Sequence, residues 1–268
     1  MSKARPPSSA TKPRKASARG TSPVERKIAL FSDVHSNLEA LEAVLADMDK
    51  QKVTARVCLG DVVGYNANPV ECLERLRELN INIIKGNHDE EAASNNSLTH
   101  YREVARIGME FSRNALSREQ KTFLRSRPYV GQVRDFLVVH ASLCQPEEFY
   151  YLDSYEEACL HLDIQPTKVC FVGHTHVPRI FAIDENMQVV DVDLQSHMKI
   201  GKLPRCVVNV GSVGQPRDGD SRACYAIYNV DSESIDFRRV TYDIEATRKK
   251  ILDAGLPPPL GDRLFKGI

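Results

Sequence analysis

Five times along this chain a short apolar run stops at a cluster of Asp, His or Asn. Ile28-Ala29-Leu30-Phe31 runs into Ser32-Asp33-Val34-His35-Ser36-Asn37, and Arg56-Val57-Cys58-Leu59 runs into Gly60-Asp61. Ile81-Asn82-Ile83-Ile84-Lys85 leads to Gly86-Asn87-His88-Asp89, Phe136-Leu137-Val138-Val139 to His140-Ala141-Ser142, and Val169-Cys170-Phe171-Val172 to Gly173-His174-Thr175-His176. Apolar runs this short, bounded by turn formers, read as buried strands. In open α/β sheets the C-terminal strand edge is where sites form. The chain is therefore restricted to folds in which several strands deliver polar side chains to one edge.

The segments between the runs carry helical signals. Asn37 is placed to cap a helix whose Leu38, Leu41, Val44, Leu45 and Met48 share a face, and Pro69 opens a helix with Cys72, Leu73, Leu76 and Leu79 on one side. This β-α-β-α-β series predicts parallel strands with right-handed crossovers. After Asp89 a helical stretch holds Tyr101, Val104, Ala105 and Ile107, and Ser117 with Gln120 forms a capping-box pair for another helix. Beyond His176 the period becomes strand-like at Ile180–Ile183, Val189–Leu194, Val207–Val210, Ala223–Tyr228 and Ile235–Val240. A final helix, about Ile244 to Ala254, precedes a Pro-rich tail ending in Leu264-Phe265. The expected fold is α/β, a four-layer αββα sandwich of two mixed β-sheets with the site at the C-terminal strand edges.

A chain of 268 residues with 42% hydrophobic content can bury a sizeable core. No apolar run reaches the 18 residues of a membrane span, and the polar N-terminus lacks a secretory signal's apolar segment. Seven irregularly spaced cysteines give no disulfide framework. These features predict a cytoplasmic protein. Net charge is zero, yet residues 1–27 hold eight basic side chains against Glu25 alone, leaving 28 basic and 35 acidic residues elsewhere. Residues 1–26 are expected to be a disordered basic tail and 27–268 one domain. Nucleic acid is a conceivable partner for the tail, though a solvated extension is favoured.

The five strand ends collect Asp33, His35, Asp61, Asn87, His140, His174 and His176. Asp33 and His35 are two apart, as are His174 and His176, and in extended chain each pair points to one side. Mixed imidazole, carboxylate and amide donors suit borderline divalent ions and disfavour calcium or an all-thiolate zinc site. Seven ligands are too many for one ion with an open position. Two ions sharing a bridging carboxylate fit better.

In order and spacing, Asp33-Val34-His35, Gly60-Asp61, Gly86-Asn87-His88-Asp89, His140-Ala141-Ser142 and Gly173-His174-Thr175-His176 resemble the motifs of the calcineurin-like metallophosphoesterase superfamily. The later Asn209-Val210-Gly211-Ser212-Val213-Gly214-Gln215-Pro216-Arg217 resembles the tail signature of its small bacterial and archaeal phosphodiesterase branch. The resemblance implies two divalent metal ions, manganese foremost with iron, zinc or nickel as alternatives. Asp33, His35 and His176 would bind the first, Asn87, His140 and His174 the second, and Asp61 would bridge them. It also implies in-line attack of a metal-bound hydroxide on a phosphate ester. His88 holds the unliganded catalytic position, offsetting phosphate charge or protonating the leaving oxygen. Strand-like alternation is expected to turn it away from the ions. Asp89 is read as satisfying backbone donors in its turn.

Departures from the pattern bear on substrate. Branches with an Asp-Arg sequence carry a phosphate-gripping arginine where this chain has Asp61-Val62-Val63-Gly64-Tyr65, and Leu143-Cys144 replaces a Pro-Arg found after the fourth motif in many small-branch members. Arg217, with Asn87, is the candidate substrate-binding residue. Phe149, Tyr150 and Tyr151 are expected to pack beneath their own loop rather than form a lid, and His100, His161 and His197 to lie outside the site. The predicted activity is a metallophosphoesterase acting on small phosphodiesters, with phosphomonoesters or nucleotides as further substrates. Its alternatives are a protein-interaction scaffold on the same fold and a nuclease recruited by the basic tail, the latter disfavoured by the acidic body.

Overall fold

A computed structural model describes residues 26–99 and 101–268. The basic segment 1–25 and His100 lie outside the described residues, so the expectations placed on them have no structural counterpart. The strands are β1 (Lys27–Phe31), β2 (Ala55–Cys58), β3 (Asn82–Ile83), β4 (Val130–Val133), β5 (Phe136–Val139), β6 (Val169–Val172), β7 (Arg179–Ile183), β8 (Val189–Asp191), β9 (His197–Lys199), β10 (Arg205–Asn209), β11 (Ala223–Asn229) and β12 (Ser234–Val240). The helices are α1 (Leu38–Lys50), α2 (Pro69–Glu78), α3 (Asn87–Ala93), α4 (Glu103–Ala115), α5 (Arg118–Arg125), α6 (Tyr155–Ile164), α7 (Ile244–Asp253) and α8 (Pro258–Asp262).

These strands form two mixed six-stranded sheets, ordered β3-β2-β1-β11-β12-β9 and β4-β5-β6-β10-β7-β8. Within the first, β1, β2 and β3 run parallel; within the second, β5, β6 and β10 do. The period-2 alternation of side chains decides the layering. Ile28 and Leu30 of β1 join Phe136, Val138, Phe171, Val208 and Tyr228 between the sheets. Their neighbours Ala29 and Phe31 face the other way, toward α1 and α2, with Leu41, Val44, Leu73 and Leu76. Cys170, Val172 and Val207 of the second sheet face α6, against Ala158 and Leu162. Helices thus cover the outer faces of two stacked sheets, as the sequence predicts.

Local signals act where expected. Asn37 Oδ1 accepts from the Ala40 amide at 3.1 Å, Pro69 opens α2, and Ser117 and Gln120 cap α5 reciprocally. Several boundaries differ. The third strand shrinks to Asn82–Ile83 because Lys85 leaves the sheet to bond the Pro128 carbonyl at 2.9 Å. Helix α6 is absent from the sequence reading although Ser154 and Glu157 form a capping box, a signal present in the chain. Strands β4 and β9 are short and lack apolar alternation. At Arg26 the backbone amide and the guanidinium both bond Asp231.

The two histidines outside the motifs separate in character. His197 is exposed on β9, 2.7 Å from Asp236. His161 is fully buried in α6, where Nδ1 accepts from the Leu143 amide at 3.2 Å. Burial holds its pKa down to about 4. The folded state then keeps this imidazole neutral while the unfolded chain protonates it, so its contribution is complete above pH ~6.5 and is lost as pH falls toward 4. Between pH 7 and pH 5 the stability advantage of the wild type over His161→Gln should shrink by about 2 kcal/mol in urea unfolding; a constant difference would contradict a buried neutral imidazole.

Candidate metal centre

Parallel strands put their C-terminal ends on one side, and here two such triplets, β1-β2-β3 and β5-β6-β10, bring theirs to a common edge. Bonds between strand ends fix the arrangement. Asp33 N donates to Gly60 O at 3.0 Å, His35 N to Asp61 O at 2.9 Å and Gly173 N to His140 O at 2.8 Å. The two sheets are tied across this edge by the His174 amide, which donates to Asp33 Oδ2 at 3.1 Å. All seven expected ligand residues, with His88, meet there, and all the histidines and aspartates among them are buried.

The backbone reason is not the expected one. Asp33, His35, Asp61, His174 and His176 have φ between 47° and 68°, left-handed values rather than extended ones. Such residues cost of order 1–3 kcal/mol each and cluster at functional sites. Likewise Asn87, His88 and Asp89 are the first turn of α3, so a helical rotation of about 100° per residue, not strand alternation, sets their directions. Asp89 behaves as read from sequence: it accepts from the Val62, Val63 and Gly86 amides at 2.9, 3.3 and 3.2 Å. Gly86 is required by contact, since a Cβ there would stand 2.1 Å from Asp61 Oδ1.

Tautomers follow from the acceptors the rings face. His35 Nδ1 lies 3.1 Å from the Val63 carbonyl and His176 Nδ1 2.6 Å from the Gln215 carbonyl. A carbonyl only accepts, so each Nδ1 carries the proton and each Nε2 is a bare lone pair. These two Nε2 atoms oppose each other at 3.0 Å. His140 is oriented in the same way by the Leu59 carbonyl at 2.7 Å, which leaves its Nε2 3.4 Å from Asp61 Oδ2 and 3.2 Å from His174 Nδ1. Asp33 Oδ1, Asn87 Oδ1, His88 Nδ1 and His174 Nε2 are buried with no hydrogen-bond partner. Facing lone pairs and orphaned oxygens are costly for a buried cluster alone and are what a cation satisfies.

Three groups have ligand atoms mutually within 4.8 Å: Asp33-His35-His176, His35-Asp61-His88 and Asp61-His140-His174. His88 therefore shares the centre's volume, although extended alternation predicted that it would turn away. The donor set fits divalent ions. Burial raises the cost of charge on Asp33 and Asp61, but the facing histidines outweigh it and hold both well below the usual carboxylate range. Burial drives His35 and His176 down and takes His88 to about 4 and His174 to about 3, His140 adding to the last. His140 goes the other way: burial opposes its charge, and Asp61 overcomes it, to about 9. Burial together with the Asp61 charge lifts Asp89 to about 7.

The centre opens into a cleft of about 960 Å³, lined by Asn87, His88, His174, Tyr65, Tyr151 and Arg217 among others. Arg217 donates to Gln215 Oε1 at 2.8 Å and to the Tyr65 hydroxyl at 3.3 Å. Tyr65 sets its ring 4.6 Å from those of both His35 and His88, edge-on to the first and tilted to the second. The aromatic loop does not pack beneath itself: Tyr151 lies 4.2 Å from the His174 ring while Tyr150 is half exposed. Sequence reasoning passed over Tyr65 and Tyr101 as site residues; neither has a local signal beyond its type.

Comparison with known proteins agrees with this geometry. Residues 27–233 match the model of the calcineurin-like phosphoesterase superfamily domain, and the chain belongs to that superfamily. It is 35% identical over 250 residues to the uncharacterized protein MJ0912 of Methanocaldococcus jannaschii, covering 91% of this chain and 99% of that one. A metallophosphoesterase from Sphaerobacter thermophilus has a crystal structure that superposes with a TM-score of 0.80 at 38% identity, covering 91% of this chain and 100% of that one. The hypothetical protein PH1004 of Pyrococcus horikoshii OT3 shares the fold, with a TM-score of 0.75 at 18% identity over 90% of this chain and 98% of its own.

If the opposed lone pairs await cations, chelation should destabilise the protein. Each ion held at 100 times its dissociation constant is worth about 2.7 kcal/mol. EDTA treatment should lower the melting temperature and excess Mn²⁺ should restore it; identical melting with and without chelator would refute the assignment.

Proposed function

We propose that this protein is a cytoplasmic metal-dependent phosphodiesterase acting on small molecules, with phosphomonoesters as secondary substrates, through a dinuclear manganese centre. The observation that carries this reading is the position of Asp61 Oδ2, 3.6 Å from His35 Nε2 and 3.4 Å from His140 Nε2, between the two halves of the ligand set. In the proposed scheme Asp33, His35 and His176 hold one ion, Asn87, His140 and His174 the other, and Asp61 is shared. When bound, such a pair supplies positive charge against phosphoryl oxygens and makes water acidic enough to act as a nucleophile near neutral pH.

The chain's own residues do the rest. The carbonyls of Val63, Leu59 and Gln215 keep His35, His140 and His176 in the ligating tautomer. His88, which lines the cleft at the centre, is placed to offset phosphoryl charge by an N–H hydrogen bond or to protonate the leaving oxygen. Arg217 and the amide of Asn87 supply cation and hydrogen bond to the substrate's anionic oxygens. The cleft is several times the size of a phosphate, which supports a diester with organic groups on both sides. Glu90, Glu91, Glu147 and Glu148 on its walls support a small substrate over a nucleic acid strand.

The Mn²⁺-reconstituted chain should release nitrophenol from bis(p-nitrophenyl) phosphate with a higher kcat/KM than from p-nitrophenyl phosphate; no turnover across a panel of diesters, monoesters and nucleotides would favour the scaffold alternative. Elemental analysis should find about two ions per chain, and Asp61→Ala should weaken both sites whereas His35→Ala weakens mainly one. Full occupancy in Asp61→Ala would refute the shared carboxylate. His88→Ala should keep its metal and slow the chemical step by roughly 10²–10⁴, about 2.7–5.5 kcal/mol of barrier. Nitrophenol esters should suffer least if His88 protonates the leaving group, and all esters equally if it offsets charge; loss of metal would make it a ligand.

A further inference from the structure

The superfamily match ends at residue 233, yet part of the cleft wall, Leu260 and Arg263, comes from beyond it. Arg263 follows α8 directly and lines the same cleft as Asn87, His88, His174 and Arg217. Its segment is fixed by an apolar cluster in which Leu256, Leu260 and Leu264 join Ile251 of α7 and pack on Tyr65, Ile107 and Phe111. It is also tied to the loop that carries Arg217, since Gly219 N donates to Gly267 O at 2.9 Å. The side chain is held by Nε donating to the Ile268 main-chain oxygen at 2.5 Å.

Two guanidinium groups are thereby set together in a half-buried cleft. Burial, and then the charge of Arg217, pull the Arg263 pKa below its ordinary value. Among the described residues no Asp or Glu side chain pairs with either arginine, and the Nη groups of Arg263 have no acceptor there beyond the Ile268 oxygen that its Nε engages. The acidic residues of the cleft are engaged elsewhere or on other walls: Glu90 accepts from the Tyr129 hydroxyl, Glu91 pairs with Arg113, and Glu147 and Glu148 sit on the loop before Phe149. A pair of partly desolvated arginines with no acidic side chain against them is an arrangement for a multiply charged oxyanion, which planar guanidinium forks bind through paired hydrogen bonds.

We propose that Arg217 and Arg263 form a subsite for a second phosphate of the substrate, distinct from the phosphoryl group that is hydrolysed. The substrate class is then a phosphodiester that carries a further phosphate on its organic portion. This rests on the phosphodiesterase reading for its catalytic consequence, but the binding it requires is measurable without turnover.

Two esters with one leaving group separate the effects: thymidine 5′-(p-nitrophenyl phosphate), and the same compound bearing a 3′-phosphate. The Mn²⁺-loaded full chain should favour the second by roughly 10–100-fold in kcat/KM, the worth of one or two charge-assisted hydrogen bonds. In Arg263→Ala this ratio should fall toward one, and Arg263→Lys should retain part of it; the lysine variant keeps the test decisive if the alanine variant melts early. Calorimetry with thymidine 3′,5′-bisphosphate and thymidine 5′-phosphate should show the same preference and the same loss. Turnover with no preference in the wild type, or a preference unchanged in both variants, would overturn the subsite. Preferential binding without any turnover would sink the phosphodiesterase reading and leave the subsite standing.

Discussion

The junction of the two sheets hangs on Asp33. Its amide donates to Gly60 at the end of β2, its carbonyl accepts from the Gly214 amide and the Ser212 hydroxyl beyond β10, and one carboxylate oxygen accepts from the His174 amide beyond β6. One buried residue thus joins the C-terminal ends of four strands from both sheets, and its remaining oxygen faces His176 Nε2 at 3.3 Å. The metal centre has no framework separate from the fold. Moving any of these strand ends would move a donor.

That junction accumulates unfavourable terms. Five of its residues hold left-handed backbone, and the buried imidazoles of His35 and His176 present bare nitrogens to one another. Among the imidazoles, burial disfavours charge on His35 and His174, whereas on His140 Asp61 outweighs burial and favours it. The surrounding core offsets this cost: the apolar layer between the sheets and those under the helices are continuous up to the strand ends. Strain and lone-pair opposition are tolerated because the strands that carry them are buried at the ends where the site residues follow.

The chemistry of the cleft comes from a wider span of chain than the centre does. Tyr65 has a ring against His35 and His88 and a hydroxyl that accepts from Arg217, so it links the candidate metal centre to that arginine. Tyr151 covers His174 from the opposite loop. The C-terminal segment closes the third side by packing on Tyr65 itself. The walls of the cleft are thereby drawn from three segments far apart in the chain.

The sequence by itself determined the strand-and-helix series, the layer each alternate apolar residue enters, and the seven polar residues that meet at the strand ends, because these depend on local periodicity and on polar residues placed directly after buried strands. Its geometric reasons were partly wrong. Asp33 and His35 converge through left-handed turns, and His88 points as it does because Gly86 starts a helix, a conformation selected by the contact of Gly86 with Asp61 rather than by neighbours in sequence. Only the tertiary structure decided which imidazole nitrogen is bare, since that is set by the carbonyls of Leu59, Val63 and Gln215, 81, 28 and 39 residues away from their histidines. It alone placed Arg263 beside Arg217, since the packing of the C-terminal leucines on Tyr65 is a contact between segments nearly 200 residues apart that no local pattern encodes.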